Sequence, residues 1–335
     1  RIAAGVLAAT LATAAQAQID LNKLRQQLNR DMQAWAAALA QDFAAWRQTV
    51  AQASGNYLIP TPGTTSAEGY IQWQGAARRY LVILPQVPVA NAPAILLLHP
   101  RNLAPEKMGN LTRAGRLAAN DGAVVLLPEA QNGAWNEDPA GSVSADDVGF
   151  LSALIDYSVA HYGVDKKRVY ATGYSSGGFM AARLGCQASG KLAGVGEVAA
   201  TMRASLEKIC VTTHALPVAL IDGTSDAVVP YNGEVHALDS APATAALWAA
   251  KAGCNATAPT THLPNKSADD GTTVDLARYR NCGNAGEVRL YTVNQGGHTW
   301  PSSPYGVYTL ALGRTTRDID ATLELWNFLS AYRAP

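Results

Sequence analysis

Val169 to Cys186 read VYATGYSSGGFMAARLGC, and inside that stretch Gly173-Tyr174-Ser175-Ser176-Gly177 spells G-x-S-x-G. An apolar, β-like run enters the motif and an amphipathic run leaves it. Small residues crowd both sides of the central serine. A strand that turns at once into a helix leaves no room for Cβ atoms at the flanking positions, which accounts for Gly173, Gly177 and Gly178. Such a turn holds its central residue in a strained conformation. It lifts the Ser175 hydroxyl clear of the strand, with a helix N-terminus just behind it.

The surrounding chain repeats the same alternation. Apolar strand-like runs occupy Arg78–Pro85, Ala94–Pro100, Ala123–Ala130, Arg168–Ser175, Gly194–Met202, Pro217–Gly223 and Glu287–Val293. Helical patterns lie between them. DDVGFLSALIDYSVAHYG puts Val148, Leu151, Leu154, Ile155 and Val159 on one face, with Ser144 or Asp146 as N-cap. RDIDATLELWNFLSAY puts Ile319, Leu323 and Trp326 on another. Near-continuous apolar strands alternating with helices predict an α/β fold, a mostly parallel sheet covered by helices on both faces. A G-x-S-x-G at a strand-to-helix turn of that sheet is the nucleophile elbow of an α/β-hydrolase.

Upstream of residue 70 the pattern differs. Arg1 to Ala15 run apolar after one basic residue, and Ala15-Gln16-Ala17 fits a small-x-small cleavage site. The stretch reads as a secretory signal peptide over 1–17. Residues 18–54 carry Leu21, Leu24, Leu28, Met32, Trp35, Leu39, Phe43, Trp46 and Val50 at intervals of three or four. That amphipathic helix must bury its face against the body of the protein or against a second copy in a homodimer. Residues 55–69, rich in Gly, Pro and Thr, read as a linker to a catalytic domain over 70–335.

Composition narrows the partners. The 335 residues carry 26 basic and 26 acidic side chains, a net charge of zero, so no global field draws the chain to nucleic acid or anionic lipid. No segment after the leader reaches the ~20 apolar residues of a membrane span. Four cysteines, Cys186, Cys210, Cys254 and Cys282, suit two disulfides in a secreted protein. No C-x-x-C or close His-x-His spacing appears, so no metal is expected, and no cofactor either.

A serine hydroxyl needs a base, and the base needs an orienting acid. In α/β-hydrolases the chain order is Ser, acid, His. His298 lies in NQGGHTWP, a Gly-rich loop after the last strand, whereas His214 precedes a strand and His236 and His262 sit in polar loops. ALIDGTSDAVVPY offers Asp222 at a strand end and Asp226 on the loop beyond it. Asp226, free to turn toward His298, is favoured, and Asp222 reads as a turn residue before Gly223. The oxyanion donors are assigned to the backbone N–H groups of Ser176 and of Arg101, since Pro100 has none to give.

Taken together, RVYATGYSSGGFMAARLGC, DGTSDAVVPY, GGHTWP, LGRTTRDIDATLELWNFL, GAWN and DDVGFLSALID resemble secreted serine esterases of the polyhydroxybutyrate depolymerase type, with their feruloyl and acetylxylan esterase relatives. The resemblance runs from about Tyr70 to Tyr332. It implies Ser175 as nucleophile, Asp226 as acid and His298 as base, acting on a polymeric or oligomeric ester. It also implies substrate contacts from Trp135 and Trp300, with Tyr174 beside them, and the pairs Cys186–Cys210 and Cys254–Cys282. Two departures stand out. His99-Pro100-Arg101 replaces the family's His-Gly-Cys, and Asp222-Gly223-Thr224 replaces its His-Gly-Thr. A basic Arg101 beside the nucleophile would also suit a polyanionic amide such as poly(aspartic acid). A non-catalytic, hydrolase-like binding module is the alternative of another class.

Overall fold

The computed structural model describes residues 57–283, 286–304 and 312–335. The calls on the signal peptide and on the amphipathic helix, with its dimer, lie outside those residues. Ten strands form one sheet in the order β1-β2-β4-β3-β5-β6-β7-β10-β9-β8. They are β1 (Thr64–Trp73), β2 (Ala76–Pro85), β3 (Ala92–Leu98), β4 (Val124–Pro128), β5 (Val164–Tyr174), β6 (Gly194–Val198), β7 (Val218–Gly223), β8 (Thr260–His262), β9 (Thr273–Tyr279) and β10 (Val288–Asn294). The six central strands β4, β3, β5, β6, β7 and β10 are mutually parallel, and antiparallel pairs finish both edges. Helices α1 (Pro105–Thr112), α2 (Gly115–Asp121), α3 (Asp147–His161), α4 (Ser176–Gln187), α5 (Ala204–Glu207), α6 (Ala241–Lys251) and α7 (Ala321–Leu329) accompany it.

Strands β3, β4, β6 and β7 are buried at every residue; β3 and β4 are apolar throughout, as strands covered on two faces require, whereas β6 and β7 each bury one acid, Glu197 and Asp222. Asp146 caps α3, its carboxylate accepting the Gly149 N–H at 3.0 Å. Disulfides join Cys186 at the end of α4 to Cys210, and Cys254 after α6 to Cys282 after β9.

Three expectations change. Part of the stretch read as a linker is strand: β1 starts at Thr64 and pairs with β2 through a turn at Gln74-Gly75, both with positive φ. Its residues are mostly exposed, so the edge strand lacks the apolar signature that betrays a central one. The short edge strand β8 is exposed at all three residues and escapes sequence reading for the same reason, and its inner neighbour β9 escapes it because only Val274 and Leu276 of its residues are buried. At the C-terminus, the Asp320 carboxylate accepts the Thr322 and Leu323 N–H groups and starts α7 at Ala321, which leaves Ile319 before the helix. Thr322, Leu325, Trp326 and Leu329 then face inward, and Leu323 is among the exposed large apolar residues instead of the core.

Candidate active site

The turn between β5 and α4 is as tight as its glycines suggest. Ser175 sits at φ 55°, ψ −121°, a region L-residues seldom occupy, and its N–H is held by Val198 O at 2.9 Å. A Cβ on Gly177 would stand 2.0 Å from Leu98 O, and one on Gly173 would stand 2.2 Å from Gly177 O. The elbow therefore packs backbone to backbone against the end of β3. Only glycine permits that approach.

Around Ser175 the fold gathers residues distant in sequence. His298 Nε2 lies 2.8 Å from Ser175 Oγ, and His298 Nδ1 lies 2.8 Å from Asp226 Oδ2. Both partners of the serine are buried. The second oxygen of Asp226 accepts the N–H groups of Val228 and Val229, each at 2.8 Å, which fixes the carboxylate plane. The loop carrying His298 is pinned from behind, with His298 N–H donating to Leu312 O at 2.7 Å and Gly297 N–H to Arg314 O at 2.9 Å. A Cβ on Gly297 would meet Leu312 O at 2.1 Å, so the glycine of the GGH run is needed there.

The loop after β3 completes the site. Ser176 is the first residue of α4, so its N–H has no acceptor within the helix. Leu103 N–H closes a turn on Pro100 O at 3.1 Å with Asn102 at φ 60°, and Asn102 N–H donates to Gly133 O at 2.8 Å. Arg101 lies between these bonded residues, and its own N–H takes no backbone acceptor among the described residues. Its guanidinium reaches Glu137 Oε1 at 3.3 Å. Glu137 is buried, and Arg203 contacts the same oxygen at 3.2 Å.

Comparison with known proteins agrees with this geometry. The Phospholipase/Carboxylesterase family matches residues 137–248, which include the elbow. Feruloyl esterase B of Piromyces equi is 31% identical over 225 residues, 62% of this chain and 39% of that one. The poly(3-hydroxybutyrate) depolymerase of Ralstonia pickettii is 32% identical over 142 residues, 38% of this chain and 28% of that one. Among solved structures, an acetyl xylan esterase from Aspergillus awamori superposes with a TM-score of 0.54 at 14% identity, covering 74% of this chain and 98% of that one. The chain has the α/β-hydrolase fold, and the relatives it is similar to are esterases. It spans about two fifths of the length of the feruloyl esterase it resembles.

In this chain the three aromatic residues expected to touch substrate are buried and otherwise engaged. Trp135 is wholly inaccessible, and its indole N–H donates to His99 O at 2.8 Å. Trp300 is 2% exposed and donates to Thr322 Oγ1 at 3.1 Å. Tyr174 O–H donates to His298 O at 2.6 Å, and its ring meets Trp300 edge-on. Each holds a loop that carries a reacting group, and none presents a face to a ligand. Their sequence signal, an aromatic beside a motif residue, does not distinguish lining a cleft from bracing it.

One residue given no role in the sequence reading does structural work here. His99 is fully buried, and burial pushes its imidazole below the usual range, so it is neutral. Its Nε2 accepts the Ala130 N–H at 3.0 Å, and its Nδ1–H donates to Pro100 O at 2.8 Å. Both ring nitrogens are used, and the loop bearing Arg101 is tied to the end of β4. Asp222, the discarded candidate acid, is also buried, with one oxygen accepting the Ala200 N–H at 3.1 Å and the other without a partner among the described residues. Burial raises it well above the ordinary carboxyl range, and the charge of Asp226 raises it further. Glu197, next in that core, is raised chiefly by burial and then by Asp222; its Oε1 accepts the Trp248 indole N–H at 2.8 Å.

Proposed function

We propose that this chain is a serine hydrolase that cleaves neutral carboxylic esters through an acyl-enzyme. The observation that carries the reading is the continuous relay Ser175 Oγ, His298, Asp226, with both links at 2.8 Å. Ser175 Oγ attacks the ester carbonyl as His298 Nε2 takes its proton. Asp226 holds the Nδ1–H tautomer and stabilises the imidazolium. The tetrahedral oxyanion is received by the N–H groups of Ser176 and Arg101. His298 then returns its proton to the leaving alcohol, and the C–O bond breaks. Water attacks the acyl-serine, again giving its proton to His298, and the acid departs as Ser175 recovers its hydrogen.

The neutral substrate is favoured over a polyanion because the Arg101 guanidinium is already paired. It reaches buried Glu137, and Arg203, which shares that carboxylate, also reaches Asp138 at 3.8 Å, so two carboxylates answer the two guanidiniums within the protein. The two disulfides support an oxidising, extracytoplasmic location. No helix among the described residues is long and apolar enough to cross a membrane.

A fluorophosphonate probe with peptide mapping tests the reading. Ser175 should carry the adduct, and Ser175→Ala should lose it together with hydrolysis of 4-nitrophenyl acetate, on the order of 10⁴-fold or more. An unlabelled Ser175 in folded, wild-type protein would refute the assignment.

A further inference from the structure

Ser175 leaves the sheet from β5, which lies between β3 and β6, and these strands are parallel. The segments that follow them therefore stand side by side at one edge. Arg101 is on the loop after β3 and Arg203 follows β6, so the two arginines come from the segments on either side of the nucleophile. Both guanidiniums reach a single oxygen, Glu137 Oε1, at 3.3 and 3.2 Å. Glu137 comes from a further loop, after β4, and its side chain is 4% exposed.

A carboxylate is costly to bury, and this one is held by a segment fastened from several directions. The Trp135 indole N–H donates to His99 O, and Asn136 N–H donates to Asp147 Oδ2 at 2.7 Å. Arg183 of α4 donates to Asn136 O and to Asn136 Oδ1, each at 2.6 Å. Glu137 is thus a fixed point for the two arginines, and they depend on it unequally. Arg203 has other support: its guanidinium lies 4.3 Å from the centre of the Phe179 ring and 3.8 Å from Asp138 Oδ2. Phe179 N–H in turn donates to Ser175 O at 3.0 Å. Arg101 has Glu137 as its one ion-pair partner among the described residues.

The tether on Arg101 bears on the oxyanion donor. The peptide unit that carries the Arg101 N–H is planar. Its carbonyl, Pro100 O, accepts His99 Nδ1–H at 2.8 Å and Leu103 N–H at 3.1 Å. Its other end is Arg101 Cα, where the side chain is attached. Holding the guanidinium limits how far that end can rock, and with it the direction of the N–H.

Resting on the serine-esterase reading, we infer that Glu137 is a positioning residue for the oxyanion hole. It keeps the Arg101 N–H aligned through the Arg101 side chain, and through Arg203 and Phe179 it ties that loop to the helix behind Ser175. Removing an oxyanion donor outright costs on the order of 10²–10³-fold in kcat, so loosening one that stays in place should cost about 10-fold.

The test compares the full wild-type chain with Glu137→Leu, Arg101→Ala, Arg101→Lys and the Glu137→Leu/Arg101→Ala double variant on 4-nitrophenyl acetate, with phenylboronic acid as inhibitor. Boron bonds to Ser175 Oγ as His298 accepts the serine's proton, and the tetrahedral adduct uses the oxyanion donors. Glu137→Leu and Arg101→Ala should each lower kcat about 10-fold with KM unchanged and raise the boronate inhibition constant by a similar factor. The double variant should be no worse than either single one, because the two side chains act as a unit. Arg101→Lys, a cation still able to reach the carboxylate, should stay within about 3-fold of wild type. A lowered melting temperature with kcat and the boronate constant unmoved would make Glu137 a merely structural residue and overturn the inference. Losses that multiply in the double variant would overturn it too. If Glu137→Leu does not fold, the arginine variants decide: unchanged kcat in Arg101→Ala, or no recovery in Arg101→Lys, refutes it. A wild type that hydrolyses no ester would defeat the esterase reading as well, whereas normal wild-type turnover beside any of these failures defeats this inference alone.

Discussion

Asp226→Asn and Asp222→Asn make a matched pair, the same change four residues apart with opposite expected results. At 226 the geometry dictates how the amide must sit. One oxygen of the native carboxylate accepts two backbone N–H groups, from Val228 and Val229. The amide oxygen must take that place, since an NH₂ there would face two donors. The NH₂ then points at His298 Nδ1 and forces that nitrogen to be the acceptor. The proton moves to Nε2, where it faces Ser175 Oγ and cannot accept the serine's hydrogen. The loss in kcat should be on the order of 10⁴-fold, about 5.5 kcal/mol of transition-state stabilisation. At 222 burial and the Asp226 charge raise the carboxyl well above its ordinary range, which favours the protonated form, and an amide is close to that form in shape. Activity should stay within about 3-fold, under 1 kcal/mol.

Stability should move the other way. A carboxyl whose folded pKa is raised favours the folded state in its protonated form. That advantage is complete below the unfolded value and is lost as pH rises toward the folded one. Asp222→Asn removes this dependence. Its melting temperature relative to wild type should therefore be higher at pH 8 than at pH 4. The assays are steady-state hydrolysis of 4-nitrophenyl acetate and thermal unfolding at the two pH values. A dead Asp222→Asn beside an active Asp226→Asn would refute the reasoning about both residues.

Tyr174→Phe removes the hydroxyl that holds His298 O and should lower kcat by up to about 10-fold with KM unchanged, read from full saturation curves. Gly177→Ala forces a methyl group into the backbone of β3 and should abolish soluble, active protein, checked by expression and circular dichroism. Cys186→Ser with Cys210→Ser opens the link at the end of α4 and should cost ~2–4 kcal/mol in denaturant unfolding, with the active site otherwise retained. Arg101→Ala should leave KM for a neutral ester nearly unchanged at low and high salt, because the guanidinium is turned to Glu137 and only the backbone N–H is needed; a salt-dependent rise in KM would return the polyanion to favour.

Several features of this protein follow from its residues in order along the chain. The parallel core is legible because strands buried on both faces must be mostly apolar; β3 and β4 are apolar throughout, and β6 and β7 each carry a single acid. The elbow is legible because a turn that presses Gly177 against Leu98 O tolerates no Cβ, so the constraint is written as glycine in the sequence. Asp226 and His298 were nameable because each follows a strand on a loop long enough to turn inward. Only the tertiary structure decided the rest. Trp135, Trp300 and Tyr174 stand beside motif residues whether they line a cleft or support it, and burial with a hydrogen bond to His99 O, Thr322 or His298 O is a property of neighbours far away in sequence. The edge strands β1 and β8 carry no apolar pattern because they are mostly exposed, and β9 beside β8 buries only Val274 and Leu276. Asp222 and Glu197 look like any surface acids until their burial is known. Glu137 meets Arg101 and Arg203 because the strand order β4-β3-β5-β6 brings the segments after β4, β3 and β6 to one edge around Ser175. An order of that kind depends on which edge the sheet leaves open, and no local stretch of chain encodes it.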